Sequence, residues 1–153
     1  MSADPQSSPS DSLQDCNCLA IRQAARHGSQ FYDHLFAPVG LRATQFAILS
    51  RLRRGGPMTI NALAAALVMD RTTLGRNILP LQRDGLIAVA PGRSDRRRHE
   101  LHITEAGIAR HRAALAHWRE AQRRFSATFG NERADTLRAL LRDVTTSDFA
   151  AAG

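Results

Sequence analysis

Lysine is missing altogether: all 21 basic residues of this 153-residue chain are arginine. Alanine is abundant beside it, a pairing that reflects GC-rich coding, so the choice of Arg over Lys carries no functional weight. Cysteine is nearly absent, and two residues separated by one position, Cys16 and Cys18, do not make a disulfide framework. Aromatics supply only 5% of the chain, so any core must be built from Leu, Ile, Val and Ala. The longest apolar run, residues 62–69, is 8 long, against the ~20 needed to span a bilayer. The Ser-, Pro- and Asp-rich N-terminus has no apolar segment, which predicts that no secretory signal is present. These absences point to a soluble, cytoplasmic protein without a membrane partner. What remains is ample for a fold: 43% of the residues are apolar, enough to exclude general disorder and to suit one compact domain or one protomer of a small oligomer.

Charge is unevenly spread. Residues 71–98 hold seven arginines against two acids, Asp84 and Asp95, whereas the other 125 residues hold 14 against 12. Most of the formal +7 therefore sits in under a fifth of the chain. Such a focus is the electrostatic footprint of a polyanion-binding surface, the bland alternative being a solvated face of an ordinary protein.

Periodicity organises the rest. Residues 1–13 are a polar tail, expected to be disordered. A first helix is predicted from Asp15, with Asp15 as its N-cap, and Cys18, Ile21, Ala25, Gly28, Tyr32 and Leu35 trace one narrow stripe until Pro38 and Gly40 end it. A second runs over residues 42–54 with Phe46, Leu49 and Leu52 inward, stopping at Gly55-Gly56-Pro57. Met58-Thr59 reads as a short strand, with Thr59 capping a third helix to about Val68. Asp70 caps a fourth over residues 71–84, closed by Gly85. Residues 86–90 and 99–103 read as two strands joined by an arginine-rich hairpin loop, 91–98. Thr104 caps a long fifth helix whose stripe is Ile108, His111, Leu115, Trp118, Gln122, Phe125 and Phe129. After Gly130-Asn131 a sixth carries Ala134, Leu137, Leu141 and Val144. The fold class is mainly α with a small β-hairpin. Helices one, five and six bracket the central unit and have little to pack on in one thin protomer, which predicts a symmetric homodimer.

The fourth helix carries the chemistry. On a wheel of 100° per residue, Leu74, Ile78 and Leu81 face a core, while Thr72, Arg76 and Arg83 lie nearly opposite, with Thr73 on the flank and Arg71 and Asn77 on the borders. A helix of that width fits the major groove, where Arg grips guanine O6 and N7 and Thr touches a thymine methyl or a base edge. Thr72, Thr73 and Arg76 are thus the candidate base readers, and Arg71 and Arg83 candidate backbone contacts. Pro80 removes a backbone bond to Arg76 and should bend the helix while its N-terminal half stays straight. At the hairpin tip, Arg93, Arg96, Arg97 and Arg98 repel one another unless an anion is present; a narrow minor groove supplies one. Asp95 pins an adjacent guanidinium.

The central unit resembles the winged helix-turn-helix of the MarR family of bacterial transcriptional regulators. Asp95-x-Arg97-x-x-x-Leu101-x-Ile103-Thr104-x-x-Gly107 is close to that family's wing signature. Leu41…Gln45-Phe46…Ile48-Leu49, Leu63-Ala64…Leu67…Arg71…Thr73 and Leu81-x-x-Asp84-Gly85-Leu86-Ile87 also fit, over roughly residues 18–146. One departure is visible: a Thr that often opens the second helix is Arg42 here, which leaves that helix's cap open. The resemblance implies a winged helix-turn-helix over residues 41–103 and a dimerisation region made of 14–40 and 104–148. It implies 71–84 in the major groove, and Arg97 in the minor groove with Asp95 as its salt-bridge partner, Arg93, Arg96 and Arg98 lying along the backbone. The operator is expected to be a pseudo-palindrome in double-stranded DNA, with half-sites one turn apart, ~10 bp.

Sensing is written more faintly. Family likeness places a small-molecule pocket where the first, second and fifth helices meet. Arg26, His27, Gln30 and Phe31 are its candidate lining, suited to an aromatic carboxylate that releases a repressor from its promoter. The alternative is a thiol sensor: Cys16 and Cys18 fall in the first turn of the first helix, where the dipole lowers a thiol pKa. Cys18-Leu19-Ala20-Ile21 resembles the peroxide-sensing branch, although Phe46 and Ile48 stand near where that branch has tyrosines. A Cys16–Cys18 disulfide is disfavoured by their divergent directions. The six histidines offer no tetrahedral set with Cys or acids, so no metal or other cofactor is expected. No phosphate loop or nucleophile elbow is present, and an enzyme is not expected. An RNA-binding or protein-interaction module is the remaining rival; residues 71–98 contain no aromatic for base stacking, which favours duplex DNA.

Overall fold

The computed structural model describes residues 12–150. The expected polar tail lies outside the described residues up to position 11. Ser12 and Leu13, counted in that tail, are instead structured: the Ser12 hydroxyl accepts from the Gln14 N–H at 3.2 Å and opens a 3-10 turn, Leu13–Asp15. This turn displaces the helix start. Asp15 ends the turn rather than capping the helix. The cap of α1 (Asn17–Phe36) is Cys16, whose Sγ accepts from the Leu19 N–H at 3.4 Å.

The remaining helices are α2 (Ala43–Gly55), α3 (Ile60–Leu67), α4 (Arg71–Arg83), α5 (Glu105–Phe129) and α6 (Asn131–Thr146). Three strands, β1 (Met58–Thr59), β2 (Ile87–Pro91) and β3 (His99–Ile103), form an antiparallel sheet in the order β1-β3-β2. Met58 pairs with Leu101, and β2 runs against β3 from Ile87↔Ile103 to Pro91↔His99. The strand β2 thus starts one residue later than periodicity suggested. Leu86 is excluded from it because its N–H closes α4 onto Leu81 O at 2.8 Å; its carbonyl still accepts from Thr104 N at 3.0 Å, in line with the β2–β3 register.

The core lies within the unit bounded by α2 to β3. Ile48, Leu49 and Leu52 from α2 and Leu63 from α3 meet Leu74, Ile78 and Leu81 from α4 and Leu86, Ile87 and Leu101 from the wing, all buried. Phe36 and Phe46 stack at 4.8 Å between centroids and join α1 to this core. The open cap at Arg42 is resolved by tertiary structure. An arginine side chain has no acceptor, so Gln45 Oε1 reaches back to the Arg42 N–H at 3.0 Å, and Asp33 of α1 accepts from the Ala43 N–H at 2.7 Å.

The outer helices are less well covered. Along the α1 stripe Cys18, Ile21 and Ala25 are exposed, while Gly28, Tyr32 and Leu35 are half-buried. In α6 only Ala134 is buried, and Leu140, Leu141 and Val144 are exposed. The stripe of α5 is buried at His111 and flanked by buried Ala114 and Ala121, whereas Trp118 lies at the surface.

Candidate nucleic-acid interface

The fourth helix begins with a locked cap. Asp70 accepts from the Thr73 N–H at 2.8 Å through Oδ1, and from the Thr73 hydroxyl at 2.6 Å through Oδ2. These two bonds hold the Asp70 carboxyl below its ordinary range, the hydroxyl bond contributing most. A bonded anion here also meets the positive end of the helix dipole. The wheel is observed as drawn: Leu74, Ile78 and Leu81 are buried, and Arg71, Thr72, Thr73, Arg76 and Arg83 are exposed. Pro80 does not break the helix, which runs continuously to Arg83; Asp84 N–H donates to the Pro80 carbonyl at 3.0 Å. Arg83 is paired with Asp84 at 3.4 Å, which partly offsets its charge.

Two features of this helix escaped the sequence reading. Leu79 lies on the same outward line as Thr72, Arg76 and Arg83, and is 65% exposed. The other is the Asp70–Thr73 clamp. Asp70 was read as a cap, but its grip on the exposed Thr73 side chain was not.

The hairpin places Arg93, Arg96, Arg97 and Arg98 at an exposed tip. Gly92 at its root is buried, and a Cβ there would stand 2.8 Å from the Asp95 carbonyl. Its N–H donates to Arg98 O at 2.7 Å, closing the loop. The expected ion pair between Asp95 and Arg97 is corrected. Asp95 Oδ1 accepts from the Arg97 backbone N–H at 3.0 Å, and Oδ2 faces the Arg98 guanidinium at 3.7 Å. The short reach of an aspartate two residues back favours the main chain, so Asp95 orients Arg97 through its backbone and leaves that guanidinium out of the pair.

Thr104 ties the wing to both α4 and α5. Thr104 caps α5 by accepting from the Gly107 N–H at 3.0 Å, and donates its own hydroxyl to Gly85 O at 2.6 Å. Gly85 takes the left-handed conformation, φ +70°, that ends α4. At Gly107 a Cβ would run into the Leu86 carbonyl and the Ile103 side chain. The Thr-x-x-Gly pattern therefore records a close helix-to-wing approach.

The expected sensing residues line neither of two cavities among the described residues. Arg26, His27 and Gln30 are exposed on α1, and Phe31 is half-buried with its ring edge-on to Tyr32 at 5.4 Å. One cavity, about 340 Å³, lies between α4 and the wing beside Ile78, Leu79 and Val89. The other, about 670 Å³, is open and lies between Pro38-Val39-Gly40 and Arg110. Cys18, placed on an apolar stripe, is exposed, and Cys16 is half-buried at the cap. At the meeting of α2 and α5, His111 stacks on Phe46 at 5.1 Å, its Nε2 faces Ser50 Oγ at 3.0 Å, and its Nδ1 is buried without a partner. Burial, and then Arg53 and Arg54, push its pKa down. Among the described residues no group of three or more His, Cys, Asp or Glu is placed to hold a metal, and no helix is long and apolar enough to cross a membrane.

Comparison with known proteins agrees with this geometry. The MarR family model matches residues 41–99. The HTH-type transcriptional regulator PecS of Dickeya dadantii (strain 3937) is 31% identical over 112 residues, covering 71% of this chain and 68% of the relative. The Mycobacterium tuberculosis regulator MosR in complex with DNA superposes with a TM-score of 0.70 at 33% identity, over 87% of this chain and 100% of that one. The transcriptional repressor CouR bound to a 23-mer DNA duplex gives 0.77 at 25% identity, over 87% and 94%. With the locked start of α4, the arginine-tipped wing and these relatives, this chain belongs to the MarR family of DNA-binding transcriptional regulators.

Proposed function

We propose that the protein is a homodimeric repressor that occupies a pseudo-palindromic operator in the cytoplasm and is released by a small aromatic, carboxylate-bearing effector. The observation that carries the DNA half is the exposed line Thr72–Arg76 on a helix whose opposite face is wholly buried, on the same unit as the exposed arginine tip. In this reading Thr72, Thr73 and Arg76 read bases, and Arg97 enters the minor groove. Arg71, Arg83, Arg93, Arg96 and Arg98 follow the phosphates. MosR, 33% identical, is seen with DNA, and CouR, a repressor, with a duplex. The dimer half is supported by the uncovered apolar residues of α1 and α6, so residues 14–40 and 104–148 are assigned to dimerisation and 41–103 to DNA. Arg26, His27, Gln30 and Phe31 are assigned to the effector, on the side of α1 toward its meeting with α2 and α5.

Retention of the purified protein on its own upstream DNA, repeated with a panel of aromatic acids, tests both halves. Arg76→Ala should lose ~1–3 kcal/mol of discrimination at one base, whereas Arg97→Ala should weaken all sequences alike. Equal losses on specific and random duplex for Arg76→Ala would remove it from base readout. A thiol-sensing reading draws on the exposed Cys18 and on the N–H bond received by Cys16 Sγ. It predicts that peroxide weakens DNA binding, and that replacing both cysteines with Ser abolishes the response.

A further inference from the structure

The polar residues that α4 offers contain one group whose hydrogen-bonding sense is set by its neighbour. A threonine hydroxyl has a single proton and two lone pairs, and when free it rotates to act as donor or acceptor. At Thr73 that freedom is gone: the Oγ1 proton is directed to Asp70 Oδ2 at 2.6 Å, and the backbone N–H beside it to Oδ1 at 2.8 Å. The carboxyl so bonded is ionised at neutral pH and can only accept. Asn77 Nδ2 donates to the Thr73 carbonyl at 2.9 Å and secures the same turn. What the exposed Thr73 hydroxyl has left for a partner is lone pairs.

We infer that Thr73 is a specificity-determining residue that reads an exocyclic amine in the major groove, adenine N6 or cytosine N4, because Asp70 has taken its only proton. The inference rests on α4 being the recognition helix. Guanine O6 and N7 and thymine O4 are acceptors and would meet the hydroxyl lone pair against lone pair. Arg76, three residues on and on the adjoining part of the same face, is a donor only and selects the opposite pattern. The pair thus asks for acceptors at Arg76 and an amine at the neighbouring position of Thr73, a combination that one G·C pair or two successive pairs can supply.

Selection of bound duplexes from a random pool by the full-length protein, followed by sequencing, tests this. The wild type should enrich adenine or cytosine at one position of each half-site. Thr73→Val keeps the shape and removes the hydroxyl, and should flatten that position by about 3- to 10-fold while leaving the others. Thr73→Ser should retain it. Asp70→Asn caps a helix as well as aspartate does, but its Nδ2 can only donate. It therefore occupies a lone pair of Thr73 and turns the proton outward, so the same position should shift toward guanine or thymine. An unchanged motif with Thr73→Val, or an adenine/cytosine preference that survives Asp70→Asn in a variant with wild-type melting, overturns the inference. Arg76→Ala separates the two levels. If it flattens a different position, the interface stands whatever Thr73 does; if the wild type selects no motif and Arg76→Ala changes nothing, the recognition-helix reading falls and this one with it.

Discussion

Gly107 and Thr104 illustrate how single residues decide the fit between wing and helix. The space over Gly107 is filled by the Leu86 carbonyl and Ile103, so Gly107→Ala must push the wing off α5. We expect a loss of ~2–3 kcal/mol in urea denaturation, and a wild-type-like midpoint would show that the contact relaxes freely. Thr104 makes two bonds with one hydroxyl, and Thr104→Val should cost about 1–2 kcal/mol by the same measurement. Asp33 is the less obvious case. It lies on α1, yet it satisfies the first N–H of α2, and Asp33→Ala should destabilise by ~1 kcal/mol although α1 itself loses nothing. The arginine at the expected cap position explains the need: it supplies no acceptor, and an acid nine residues earlier does.

At the scale of elements, the junction of α2 with α5 links the central helix-and-wing unit to the long outer helix through His111. Its imidazole is stacked on Phe46, bonded at Nε2 to Ser50 and shielded at Nδ1, with Arg53 and Arg54 adding repulsion. The folded pKa therefore lies below that of an unfolded histidine, about 6.5. As pH falls through that value the unfolded chain takes its proton first, so the stability His111 contributes is full above neutrality and declines as pH drops below about 6.5. Thermal melts across that window should show the decline, and His111→Phe, which keeps the stack, should make them flatter. An equal slope in the variant would assign the dependence to other groups. The fourth helix shows a second element-scale feature: Pro80 is accommodated in a continuous α4, since the carbonyl it leaves unbonded belongs to the exposed Arg76 and can be hydrated.

At the scale of the molecule, two surfaces are left uncovered, one charged and one apolar. The exposed Leu140, Leu141 and Val144 of α6 and Ile21 of α1 fit the proposed second copy. In sedimentation the wild type should be a dimer at micromolar concentration. The double change Leu140→Arg with Leu141→Arg should raise the dissociation constant by at least about tenfold, or ~1.4 kcal/mol; a dimer of unchanged strength would move the interface elsewhere. For the charged surface, Arg96→Ala with Arg98→Ala should reduce the slope of log K against log salt by about 4, because a two-fold assembly presents each arginine twice. A slope that does not change would take these two residues off the phosphates.

Local chemistry alone was enough for much of this protein. The order of helices and hairpin, the Asp70 and Thr104 caps, the buried line Leu74–Ile78–Leu81 and the outward line Thr72–Arg76–Arg83 all follow from period, cap and turn residues acting over one or two turns, and they were legible before any coordinates. Other features depend on groups distant in sequence, or on a competition between near neighbours that only folding resolves. Asp33 caps a helix to which it does not belong, the N–H of Leu86 is withdrawn from its strand by α4, and Asp95 prefers a backbone N–H and Arg98 to the guanidinium of Arg97. Cys16 rather than Asp15 starts α1, because the Ser12 turn uses up the residues before it. Hydrogen-bond partners and exposure are properties of the packed chain, whereas periodicity and capping preference are carried by the residues themselves.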